Sequence, residues 1–94
     1  MDISVIIPAY NEEKRIAFTL QKSIEFLQQR SWQYELIPVD DGSEDATVAQ
    51  IAEVARDYPQ VRCVLNGKNR GKGYSIRHGL GEAKGQFIGF MDAD

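Results

Sequence analysis

Four short apolar runs, each halted by a polar loop and separated by stretches of helical periodicity, leave this chain few folds to choose from. Residues 3–7 (Ile-Ser-Val-Ile-Ile) are short and mostly β-branched and predict a first strand, which Pro8 is expected to end because it cannot donate to a sheet ladder. Asn11 suits an N-cap, Glu12 and Glu13 suit the positive end of a helix, and Ile16, Leu20, Ile24 and Leu27 repeat at helical spacing to about residue 29. A second strand is expected over residues 34–39, stopping at Asp40-Asp41. A helix capped by Asp45 or Ser43 follows to about residue 57, with Val48, Ile51, Ala52 and Ala55 as its apolar stripe. Residues 61–65 read as a third strand. Residues 74–83 read as a third helix, weakened by Gly79 and Gly81, and residues 87–91 as a final strand.

The order β-α-β-α-β-α-β with short loops predicts an α/β domain, a Rossmann-like parallel sheet of about four strands with helices on both faces. Right-handed crossovers favour the strand order 3-2-1-4, with ligand in the crevice at the switch between the first and last strands. Pro38 conflicts with an interior strand, and a bulge or register break beside it would reconcile the two. The run Phe87 to Met91 carries no helical stripe and reads as a strand buried on both faces.

The carboxyl ends of these strands carry the chemistry. After the last one stand Asp92 and Asp94; in extended chain, side chains two apart point the same way, and two such carboxylates suit a hard cation, Mg²⁺ or Mn²⁺, that also takes substrate phosphates. The loop after the first strand offers Tyr10, whose ring could cover a base, and the end of the second offers Asp40, which could accept a base N–H. Each feature alone is commonplace in turns; their convergence on three strand ends points to a nucleoside diphosphate.

Composition narrows the remaining classes. A net charge of −3 gives no electrostatic case for nucleic acid. The single cysteine, Cys63, lies in an apolar stretch and reads as a buried, inert thiol, and the single histidine, His78, as a surface or packing residue. No apolar stretch approaches a membrane span, and the N-terminus lacks a signal-peptide pattern, so a cytoplasmic chain is the default expectation. The segment from Gly67 to Gly73 is not a P-loop: its glycine spacing is short by one, and Gly73 stands where Ser or Thr should meet the metal.

Taken together, the segments SVIIPAYNEE, VDDGSEDAT, NRGKGYSIRHGL and FMDAD resemble the family-2 inverting glycosyltransferases of the GT-A fold, most nearly the dolichyl- or polyprenyl-phosphate glucosyl- and mannosyltransferases. The resemblance runs from Ser4 to Asp94. It implies that Pro8, Ala9, Tyr10 and Glu12 hold the nucleoside, and that Asp40 hydrogen-bonds the base. It implies further that Asp92 and Asp94 bind the diphosphate of a UDP- or GDP-sugar through Mg²⁺ or Mn²⁺, and that Lys72 and Arg77 lie near the donor. Asp41 is expected to shape the loop. Relatives of this type continue into an acceptor-binding half that in many supplies the catalytic base, so residues 1–94 are expected to be the nucleotide-sugar-binding half, serving hexose transfer to a polyprenyl phosphate or glycan. The full-length protein would be peripheral at the cytoplasmic membrane face. A rival reading is a nucleotide-binding or self-associating domain without turnover; a haloacid-dehalogenase-type phosphohydrolase, whose Asp-x-Asp normally opens its domain, fits less well. The apolar last strand, left as a sheet edge, further predicts a dimer built across that strand or the third helix.

Overall fold

A computed structural model describes residues 1–93. Seven elements alternate: β1 (Ile3–Ala9), α1 (Ile16–Gln28), β2 (Tyr34–Asp40), α2 (Thr47–Asp57), β3 (Val64–Leu65), α3 (Lys72–Glu82) and β4 (Phe87–Phe90). The strands are all parallel and lie in the expected order β3-β2-β1-β4. Strand alternation divides the core into two layers. Val5, Ile7, Ala9 and Leu36 pack with Ile16, Leu20, Ile24 and Leu27 of α1 and Ile51 and Val54 of α2. Ile6, Ile37, Val39 and Val64 form the second layer on the face that α3 covers. Each fully buried Ile or Leu contributes roughly 1.5–3 kcal/mol of hydrophobic stabilisation.

Pro8 and Pro38 both sit inside strands, and the direction of their peptide groups explains why. Carbonyls of Asp2 and Ile6 accept from Phe87 and Met91, so even-numbered residues of β1 face β4. Pro8 follows in that series beyond the last pairing, Ile6 with Phe90, so β1 runs on to Ala9 instead of ending at Pro8. In β2, Leu36 exchanges hydrogen bonds with Gln60 and Arg62, so Pro38 turns its missing donor toward β3. There the ladder lapses between a single bridge at Leu36–Val61 and the pair Val39–Val64, with no bulge and no change of register. The third strand is therefore two residues long, not five.

The helix starts also differ from expectation. Asn11 does not cap α1, which begins at Ile16; it adopts φ +50° and reaches across to the next loop, its Oδ1 accepting from Glu44 N–H at 3.0 Å and its N–H donating to Ser43 Oγ at 2.9 Å. Asp45 Oδ1 does accept the N–H of Thr47 at the start of α2. The buried stripe of α2 is Thr47, Ile51 and Val54, turned from the expected one because Thr47 Oγ1 accepts the Glu12 N–H at 2.9 Å. The glycines of α3 differ from each other: a Cβ on Gly79 would lie 2.6 Å from Ile6 Cγ2, so the close helix–sheet approach requires glycine there, while Gly81 faces open space.

The largest correction concerns β4. Among the described residues it pairs with β1 alone, and it is not buried on both faces: Phe87 is 70% exposed and Phe90 55%. Helix α3 packs over β1 and β2, and side chains on both faces of β4 stay partly exposed. No described helix is long and apolar enough to cross a membrane.

Candidate functional site

The carboxyl ends of β1, β2 and β4 and the loop leading into α3 open onto one cleft of about 310 Å³. Pro8, Ala9, Tyr10 and Glu12 line it from the β1 side, Asp41 from the end of β2, and Asp92 and Ala93 from the chain after β4. Asn69, Gly71, Lys72 and Ser75 complete the wall. This is the crevice at the topological switch point where open parallel sheets bind ligands.

The β1 loop is fixed by the α2 entrance. Besides the Asn11 contacts, Ala46 N–H donates to Glu13 Oε2 at 3.2 Å, and Glu12 carries an ion pair with Arg15. Tyr10, with no such tie, stands 43% exposed at the cleft rim, its ring available to stack on a planar ligand. Gly42, at φ +77°, lets the β2 and α3 loops touch: a Cβ there would lie 2.5 Å from the Lys68 carbonyl carbon.

Asp40 and Asp41 part company at the strand end. Val39 belongs to the α3-side layer, so alternation turns Asp40 toward the α1/α2 side and Asp41 back toward α3. Asp40 is buried, its Oδ2 accepts the Ser43 N–H at 3.0 Å, and it is absent from the cleft wall. Asp41 is the acid that lines the cleft. Burial alone would raise its carboxyl, but the N–H of Arg70 at 2.7 Å, the Asn66 amide at 2.9 Å and the N–H of Gly71 at 3.0 Å more than offset that and hold it below the usual aspartate value. The carboxylate is thus ionised and accepts only. The loop-shaping role expected of Asp41 is seen in its bonds to Arg70 and Gly71; its place on the cleft wall was not read from the sequence, and the period-2 alternation past Val39 was the signal for it.

Asp92 is aimed by its neighbours. Met91 Sδ lies 3.0 Å from Ser23 Oγ, whose hydrogen goes to the Thr19 carbonyl, and the Ala93 carbonyl accepts from Thr19 Oγ1; these contacts with α1 pin the residues on either side. The Asp92 carboxylate turns the other way and pairs with Lys72 Nζ at the first turn of α3. Arg77 is exposed further along α3 and does not reach the cleft wall. Asp94 lies outside the described residues. Among the described residues no group of three or more His, Cys, Asp or Glu gathers as a metal cage. A single hard carboxylate oxygen at Asp92 nevertheless fits a site that takes most of its ligands from substrate phosphates and water. Cys63 is half-buried, and burial together with the nearby Asp40 carboxylate pushes its thiol up to about 11, so it is inert.

Comparison with known proteins places this geometry. Residues 4–94 match the family described as Glycosyl transferase family 2. A dolichyl-phosphate beta-glucosyltransferase of Drosophila melanogaster is 41% identical over 100% of this chain and 31% of its own length, and the human enzyme of that name is 38% identical over 98% and 31%. The chain thus spans about a third of the length of these relatives. Among solved structures, a mannosyltransferase from Pyrobaculum calidifontis in complex with GDP-Man and Mn²⁺ superposes with a TM-score of 0.80 at 26% identity, covering 98% of this chain and 27% of that one. Glucosyl-3-phosphoglycerate synthase from Mycobacterium tuberculosis, in complex with Mn²⁺, UDP and glucosyl-3-phosphoglycerate, gives 0.78 at 30%, covering 99% and 33%. On the match across residues 4–94, the four-stranded sheet and the cleft at its switch point, the chain belongs to glycosyl transferase family 2.

Proposed function

We propose that this chain is the nucleotide-sugar-binding half of a glycosyltransferase domain, holding a UDP- or GDP-sugar for inverting hexose transfer to a polyprenyl phosphate or glycan. The observation that carries the reading is the single cleft that collects Tyr10, Asp41, Lys72 and Asp92 from separate strand ends and loops. Tyr10 offers a ring to stack on the base. Asp41, fixed as an acceptor, recognises an N–H of the imide type, present at N3 of uracil and N1 of guanine and absent from cytosine. Pro8 and Ala9 form the wall between them. Asp92 is the residue that would hold Mg²⁺ or Mn²⁺, with Lys72 adding positive charge beside the diphosphate. Such an ion supplies charge stabilisation to a leaving diphosphate. A polyprenyl phosphate acceptor is already an anion and needs little general-base help, whereas a hydroxyl acceptor needs a base. The names of the relatives, which act on dolichyl phosphate, and the Mn²⁺ in the neighbouring structures support this choice of partners and cation.

The test is a calorimetric titration of the chain with UDP, GDP and CDP in Mn²⁺. UDP or GDP is expected to bind and CDP to bind at least about tenfold more weakly, since it meets the Asp41 acceptor with an acceptor. Equal binding of all three would remove base recognition from the reading.

A further inference from the structure

Asp41 does not set its own orientation. Its Oδ1 accepts from Arg70 N–H and from Asn66 Nδ2, and its Oδ2 from Gly71 N–H. Asn66 is buried, and every hydrogen-bonding position of its amide nitrogen is used: one hydrogen goes to Asp41 Oδ1 at 2.9 Å, the other to Ser75 Oγ at 2.8 Å. Its Oδ1 lies 2.8 Å from Nδ1 of His78. The direction of each link is forced. A carboxylate only accepts, and the Ser75 hydroxyl hydrogen goes to the Gly71 carbonyl at 3.0 Å, so the nitrogen of Asn66 must face both. Its oxygen then faces His78, whose Nδ1 must carry the hydrogen. Turning the amide over would set its oxygen against the Asp41 carboxylate and its nitrogen against the imidazole N–H, losing all three bonds. His78 of α3 thus keys the amide, and Asp41, which lines the cleft, takes its orientation from Asn66.

We propose that Asn66 is a positioning residue for nucleotide recognition: locked by His78 and Ser75, it fixes how the Asp41 carboxylate meets the base. The proposal rests on the reading of the cleft as a nucleotide site. The titratable and charged groups that share Asp41's surroundings are Arg70 on its loop, His78 and Lys72 on α3, Glu12 from the β1 loop and Asp92 across the cleft.

The test compares the wild type, Asn66→Asp, His78→Ala and His78→Asn in UDP–Mn²⁺ titrations from pH 5 to 8, with a ¹³C titration of the Asp41 carboxyl in the free protein. Wild-type affinity is expected to be nearly level across this range. Asn66→Asp keeps the shape but places a second carboxyl against Asp41, so the two share a proton. Protonated, the new carboxyl still donates, and affinity approaches the wild type; as pH rises it falls by about tenfold or more, and the Asp41 carboxyl titrates higher than in the wild type. His78→Ala frees the amide and weakens binding severalfold, while His78→Asn, whose side-chain nitrogen falls near the place of Nδ1, restores it. An Asn66→Asp variant with a level pH profile and an unmoved Asp41 titration would overturn the proposal. So would equal affinities in the two His78 variants, which decide the matter if Asn66→Asp does not fold. Absence of UDP and GDP binding by the wild type would instead sink the nucleotide reading, and the Asp41 titration would still judge the hydrogen-bonded network.

Discussion

Adjacent carboxylates, Asp40 and Asp41, do different work because a strand alternates. Asp41→Asn is expected to weaken UDP binding by about 1–3 kcal/mol, the range for a buried hydrogen-bond mismatch. Asp40→Asn changes a buried group that accepts the Ser43 N–H, so its main effect is a stability loss of about 1 kcal/mol with nucleotide affinity largely kept. Calorimetric titration and thermal melts of the two variants separate these outcomes; an Asp40→Asn variant that loses UDP while Asp41→Asn retains it would reverse the assignment. The pH dependence follows from the direction of the Asp41 shift. Its carboxyl is held below the ordinary value near 3.9, so the stabilisation is whole above that value and drains away as pH falls through the lower folded value. Acid unfolding of Asp41→Asn, which has no such group to protonate, is expected to begin from lower stability and to be less steep below about pH 4. The residue types of the site were legible in the sequence, and Pro8, Ala9, Tyr10, Glu12, Lys72 and Asp92 do line one cleft. Which of two neighbouring acids faces it was not, because the answer depends on a layer assignment made by the packing of Val39.

At the scale of the elements, α3 shows how far propensity misleads. Gly79 and Gly81 both read as weak points of a helix, yet only one is dispensable. Gly79→Ala would drive a methyl to 2.6 Å from Ile6 Cγ2 and is expected to cost about 1–3 kcal/mol by overpacking. Gly81→Ala meets open space and is expected to stabilise by about 0.5–1 kcal/mol. Urea melts with both midpoints lowered, or both raised, would contradict this account of α3. The strands tell a similar story. The elements were readable from their periodicity and the strand order from crossover handedness, and Pro38 was correctly marked as a conflict. Its resolution was not readable, since a lapse in the ladder with unchanged register depends on which neighbour the missing N–H would have faced. Asn11 looked like a cap by residue type, but its reach to Ser43 and Glu44 is a long-range contact that no local pattern encodes.

For the whole molecule, the apolar character of β4 and its position at an edge were each legible, and together they predict association of the chain as given. Phe87 and Met91 face the α1 side, Ile88 and Phe90 the other, and the outer backbone edge pairs with nothing among the described residues. A concentration-dependent dimer is expected by light scattering after size exclusion, and Phe90→Lys is expected to shift it toward monomer; a monomer at every concentration would contradict this. One cleft that binds a nucleoside diphosphate with a divalent cation at Asp92 would join these features. Its most direct test is titration of the chain with UDP and with GDP, once in Mn²⁺ and once in EDTA, for wild type and Asp92→Ala. At least one nucleotide is expected to bind and to tighten in Mn²⁺, and Asp92→Ala is expected to give the same affinity in Mn²⁺ and EDTA. A wild type that binds neither nucleotide, or binds equally in Mn²⁺ and EDTA, would contradict it.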